Sequence, residues 1–185
     1  REMSDGLTES ALVVKFAKSD LSPVTNKHYG GTYEYEEDIY HYTLWPRDVV
    51  HDGTSLYVSG GGWGISSFPF VMKIDKGSLN FVGMLGFDQG FNLGGIDYSE
   101  GYLYAAGHGI TSYDGWHYVN NAIMVKLTPE LSVVEQKVLV APLEEFHIGT
   151  WFTKVAARDG QVYAVGYAAA GGSPGPFSAG LIATF

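Results

Sequence analysis

Leu56-Tyr57-Val58-Ser59-Gly60 recurs as Leu103-Tyr104-Ala105-Ala106-Gly107 and again as Val162-Tyr163-Ala164-Val165-Gly166. An acidic residue and a glycine precede each copy, at Asp52-Gly53, Glu100-Gly101 and Asp159-Gly160. Before each turn stands a short stretch: Asp48-Val49-Val50, Ile96-Asp97-Tyr98 and Val155-Ala156-Ala157. The pattern reads as a strand, a tight hairpin and a returning strand. Glycine supplies positive φ at the tip, and the acid can bond local backbone amides.

A third strand recurs further out as Val13-Val14-Lys15-Phe16, Val71-Met72-Lys73-Ile74, Met124-Val125-Lys126-Leu127 and Ile182-Ala183-Thr184-Phe185. Short connectors (Asp20-Leu21, Gly77-Ser78-Leu79, Pro129-Glu130-Leu131) lead from it into a fourth apolar strand. The tyrosines stand 47 and 59 residues apart and the lysines 58 and 53. Such periods, with four strands each, predict an all-β protein, a β-propeller of four-stranded antiparallel blades; one blade cannot bury both its faces, so neighbours stack on it. The units fall approximately at 1–44 (partial), 45–92, 93–151 and 152–185 (partial). The chain opens and closes on a third strand, so the set does not close a ring. The expectation is part of a larger propeller chain, or a homo-oligomer that completes blades between protomers.

Composition agrees with this class. In 185 residues, 25 glycines and 13 tyrosines stand beside a charged fraction of only 17%, which describes short strands and turns rather than long helices. The net charge of -9, without a Lys/Arg cluster, argues against a nucleic-acid partner. No apolar stretch approaches the roughly 20 residues of a membrane-spanning helix. With no cysteine, disulfides, thiolate catalysis and Cys-based zinc sites are excluded. The opening Arg1 carries no leader pattern behind it, and the start is read as trimmed or processed.

Asn121-Ala122-Ile123-Met124-Val125-Lys126-Leu127-Thr128-Pro129 resembles the D-A-F-V-A-K-L-D-P core of SBBP-type propeller repeats. Asp159 to Tyr167 is similar to that family's G-N-V-Y-V-A-G-x-T strand. The usual acid before the alanine is absent, with Asn121, Pro69 and Ser178 in its place. The resemblance implies a bacterial or archaeal protein, secreted or at the cell surface, with no shared catalytic set.

Three departures from the repeat fall where propellers carry function, in the connections. Gly30 to Leu44 is dense in tyrosine and acid. Glu34, Glu36, Glu37 and Asp38 are candidate ligands for Ca2+; the alternation Thr32-Tyr33-Glu34-Tyr35-Glu36 equally reads as a strand with its acids in water. Gly107 to Asn121 reads as a long loop offering His108, Tyr113, Asp114, Trp116 and His117 (with Tyr118 beyond), residues suited to a protein or glycan ligand. Ala168 to Phe177 reads as a spacer, and Gly60-Gly61-Gly62-Trp63-Gly64 lacks the ending of a phosphate loop. Lys15, Lys73 and Lys126 sit mid-strand and read as structural. Asp48, Asp97 and Asp159 could ring a channel around a cation, but hairpin capping and solvent account for them.

These features lead to the expectation of a non-enzymatic secreted or cell-surface module for recognition, adhesion or extracellular assembly. The alternative is a propeller enzyme, a lyase or hydrolase acting on polysaccharide or peptide, with His108, His117 or His147 as acid or base. For the acidic segment the expected result is a melting temperature that chelation leaves unchanged. A drop on adding EDTA would assign an ion site, because a ligand bound only by the folded state stabilises it.

Overall fold

The computed structural model describes residues 11–35, 38–64, 66–87, 92–113, 118–139, 147–170 and 177–184. Over these the chain forms β1 (Ala11–Phe16), β2 (Pro23–Tyr29), β3 (Gly31–Tyr35), β4 (Asp38–His51), β5 (Ser55–Trp63), β6 (Ser67–Asp75) and β7 (Phe81–Gly86). There follow β8 (Asn92–Ser99), β9 (Tyr102–Tyr113), β10 (Tyr118–Leu127), β11 (Val133–Leu139), β12 (His147–Arg158), β13 (Gln161–Ala170) and β14 (Phe177–Thr184). Antiparallel pairing joins β4-β5-β6-β7, β8-β9-β10-β11 and β12-β13-β14, with β1-β2 as a separate pair. A single parallel bridge, Asn120 to Gly149, links β10 to β12.

The middle strands are apolar on both faces because each face meets a different neighbour. On β6, Val71 enters one core while Phe70, Met72 and Ile74 enter another. On β10, Ile123, Val125 and Leu127 face the β5-β6 sheet, whereas Ala122 and Met124 face β12 and β13. A period of two divides alternate residues between the cores on either side of a sheet.

The acidic-Gly turns differ in detail from the expectation. Glu100-Gly101 (φ 52° and 83°) and Asp159-Gly160 (φ 54° and 71°) are two-residue hairpins in which the acid also adopts positive φ. At Asp52 the turn is longer, and the carboxylate accepts from the Thr54 and Ser55 amides and the Tyr57 hydroxyl (2.7 Å). Burial alone would raise the Asp52 carboxyl. The hydrogen bonds outweigh it and hold the group well below the carboxylate range, while burial and Asp52 together push the Tyr57 phenol up.

The connectors between third and fourth strands each place a leucine in the left-handed region: Leu21 (φ 56°), Leu79 (55°) and Leu131 (64°). That conformation costs roughly 1–2 kcal/mol, and full burial of a leucine returns about 1.5–3 kcal/mol. Leu79, 1% exposed, therefore comes out ahead; Leu131, partly buried on the β5-β10 core, recovers part of the cost, and Leu21, 73% exposed, has no such offset.

The innermost strands β4, β8 and β12 share one irregularity. Register slips between Pro46 and Asp48, Leu93 and Gly95, and Phe152 and Lys154, so each carries a bulge. The glycine ending each tyrosine motif accommodates it: a Cβ at Gly60, Gly107 or Gly166 would collide with the carbonyl oxygen of Trp45, Asn92 or Trp151. Gly107→Ala is therefore expected to cost about 1–3 kcal/mol in urea unfolding, the usual range for overpacking. Gly83→Ala, with open space around the added methyl, is expected to be near neutral; equal midpoints for both variants would contradict this packing.

Candidate functional site

Strand direction sorts the connections into two ends. The tight turns at 52–54, 100–101 and 159–160 and the connectors after β1, β6 and β10 share one end. At the other end lie the connections from β5 to β6, β9 to β10 and β13 to β14, those from each blade to the next, and the β3-β4 hairpin. All three departures flagged in the sequence belong to this second end.

Aromatic side chains gather there. Trp151, early in β12, stacks on its cross-strand partner Tyr167 (centroids 4.9 Å, interplanar angle 23°). His108 of β9 approaches Trp151 edge-on at 6.0 Å. Trp45 of β4 and Trp63 of β5 are 38% and 53% exposed at the same end, so three of the chain's four tryptophans collect here. The fourth, Trp116, lies outside the described residues. Asn92 pairs with His108 across β8 and β9; its amide oxygen and that of Asn120 are buried without a hydrogen-bond partner among the described residues.

His108 is the candidate residue whose side chain is described in full. Burial, with the Arg47 guanidinium adding to it, pulls its imidazole down to about 4. Near neutrality it is uncharged, fit to stack or to hydrogen-bond rather than to carry a proton. Tyr113 ends β9 opposite Tyr118, while Asp114 and His117 lie outside the described residues. The expected long loop from Gly107 is mostly the outer part of the β9-β10 hairpin: its glycine, threonine and histidine read as turn residues, yet they pair through Tyr113.

Of the metal candidates, Glu36 and Glu37 lie outside the described residues. For Glu34 and Asp38 the backbone is described: Glu34 pairs with Ile39 and Asp38 with Tyr35, so this segment forms a hairpin. Among the described residues no group of three His, Asp or Glu could hold an ion. Gly60 to Trp63 continues β5 instead of forming a loop.

The sequence leaves Asp48 and Asp97 to solvent; the structure gives them partners instead. Over their inner halves the innermost strands pair on one side only, and N–H groups on the other side need another acceptor. The Asp48 carboxylate accepts from the Ile96 amide on the next blade (3.2 Å), and Asp97 accepts from the Ala157 amide on the one after (2.8 Å). Lys154 adds an ion pair to Asp48 (3.0 Å) and Arg158 one to Asp97 (2.8 Å). Both aspartates thus clamp consecutive innermost strands. Sequence reading missed this because separation along the chain carries no sign of contact across blades.

The chain has the β-propeller fold. Neither a protein-family model nor a curated protein matches it. Among solved structures it is similar to an exo-1,5-α-L-arabinanase from a bovine ruminal metagenomic library, with 13% identity and a TM-score of 0.52. The match covers 95% of this chain and 64% of that one, so this chain spans somewhat less than two thirds of its length. The expectation of a non-enzymatic module is overturned by this finding: the solved propeller it resembles is an enzyme, which favours the alternative reading.

An imidazole held below its unfolded value binds fewer protons in the folded state. The stability it contributes is therefore complete above pH 6.5 and lost as pH falls toward 4. His108→Gln is expected to flatten the fall in unfolding free energy across that window, measured by urea titration at several pH values; slopes equal to the parent's would contradict a buried neutral imidazole.

Proposed function

We propose that this chain forms the blades of a propeller enzyme acting on polysaccharide, with the sugar chain held at the end where the long connections meet. The observation that carries the reading is the ring platform of His108, Trp151 and Tyr167 at that end. Flat aromatic surfaces give large contact area at small entropic cost. The fold's likeness to an exo-arabinanase supports a glycan substrate over a peptide.

Hydrolysis of a glycosidic bond uses two carboxyl groups flanking it. Asp48 and Asp97 are committed to clamping, so this reading looks to other acids for that work, the candidates being Glu34, Asp38 and Asp114 of the segments that depart from the repeat in sequence. Kinship with SBBP-type repeats, supported by the Asn121 to Pro129 run, would account for the blade pattern. Under this reading the protein works outside the cell or on its surface, where polysaccharide is met.

The test is release of reducing ends from a panel of plant polysaccharides that includes linear 1,5-α-L-arabinan. Release is expected, and Trp151→Ala is expected to reduce it at least about tenfold, the loss of roughly 1.4 kcal/mol of binding, while far-ultraviolet circular dichroism stays unchanged. No release and no binding from any member of the panel would contradict the reading.

A further inference from the structure

The register slip shared by the three innermost strands leaves one residue of each outside the ladder: Arg47 on β4, Gly94 on β8 and Thr153 on β12. A bulge of this kind re-aims the side chain it carries. Gly94 carries none, and the Thr153 hydroxyl turns back to donate to the Val165 carbonyl of its own blade (3.2 Å). Arg47 is left as the one bulged residue that presents a long charged group, and it is exposed.

Contacts around Arg47 close a circuit at the ring platform. Its chain neighbour Asp48 is ion-paired to Lys154 (3.0 Å). Lys154 reaches Asp48 from β12 because the strand between them offers only glycine. A Cβ on Gly94 would lie 2.9 Å from the Phe152 carbonyl oxygen, and one on Gly95 2.7 Å from the Lys154 Cα. Three residues before Lys154, Trp151 stacks on Tyr167 and meets His108 edge-on. His108 in turn lies within the field of the Arg47 guanidinium, which adds to burial in pulling its imidazole down.

Charge in this circuit does not balance. Asp48 is satisfied by Lys154 and by the Ile96 amide, and Arg47 meets no carboxylate among the described residues. Residues 45–47, 92–95 and 149–154, the innermost segments from the bulges toward the long connections, contain no acid. In a chain of net charge -9, two cations against one carboxylate make a local positive spot beside the rings. A guanidinium fork matches a carboxylate through two parallel hydrogen bonds.

We propose, building on the polysaccharide reading above, that the sugar chain taken at this end is acidic: a uronate-containing glycan whose carboxylate binds Arg47 while a sugar ring of the same chain lies against Trp151 and Tyr167. The aromatic rings supply contact area without regard to charge. Arg47 supplies the choice between acidic and neutral sugars.

Trigalacturonate and its fully methyl-esterified form separate the two contributions, since they share every sugar ring and differ in charge. In isothermal titration the esterified form is expected to bind at least about tenfold more weakly, the ordinary worth of a charge-assisted pair. Arg47→Gln is expected to weaken trigalacturonate by a similar factor and to leave the esterified form unchanged, with Arg47→Lys recovering part of the loss. Trp151→Ala is expected to weaken both forms. Equal affinity for the two forms, a difference that persists undiminished in Arg47→Gln, or binding of linear arabinan with neither trisaccharide bound would overturn this proposal and leave the polysaccharide reading standing. If neither trisaccharide nor any member of the polysaccharide panel binds, both fall.

Discussion

The fold depends on middle strands that have no polar face. On β5, β6, β9 and β10, successive side chains point into different cores: Tyr57 and Val58 part company, as do Val71 and Met72, Ala105 and Ala106, and Ile123 and Met124. A sheet built from such strands cannot stand alone in water, because whichever face is left open exposes apolar area. Stacking on both sides follows, and with it the repeat. The outer face of the last sheet meets no further sheet among the described residues. Tyr57, wedged between blades, is wholly buried, whereas Tyr163 in the matching position is 43% exposed.

Stacking brings the innermost strands side by side without ladder hydrogen bonds between them. Two carboxylates, at Asp48 and Asp97, take up amides that would otherwise point into the central space. The bulges on the same strands, permitted by the motif glycines, lie next to Trp45, Asn92 and Trp151. Structure and chemistry thus divide along the strands: one end is closed by tight turns and the Asp52 hydrogen bonds, and the other carries aromatic rings, a neutral histidine and the long connections.

Much of this architecture was legible in the sequence, and for definite reasons. The tyrosine motif, the acidic-Gly turns and the lysine-bearing third strands are local patterns, and local patterns survive in one dimension. The lysines were read as structural, and Lys73 indeed holds the next blade by its Pro129 carbonyl. What escaped is non-local or conformational. The left-handed leucines have no composition signal, since leucine rarely adopts positive φ. Trp151 and Tyr167 were overlooked as a platform because they lie on different strands of a blade whose register only the fold supplies. His108 was singled out for its type and neighbours, but its pairing with Trp151 came from packing between blades. The functional expectation failed for a related reason: lack of a catalytic constellation along the chain says nothing about one assembled across it.

Hydrogen exchange at the Ile96 and Ala157 amides tests the stacking account most directly. Both amides point away from their hairpin partners, and the hydrogen bonds they make are to the carboxylates of the preceding blade. The account predicts protection well above that of exposed edge amides, lost at Ile96 in Asp48→Ala and at Ala157 in Asp97→Ala. Exchange at the rate of a free amide in the parent protein would contradict it.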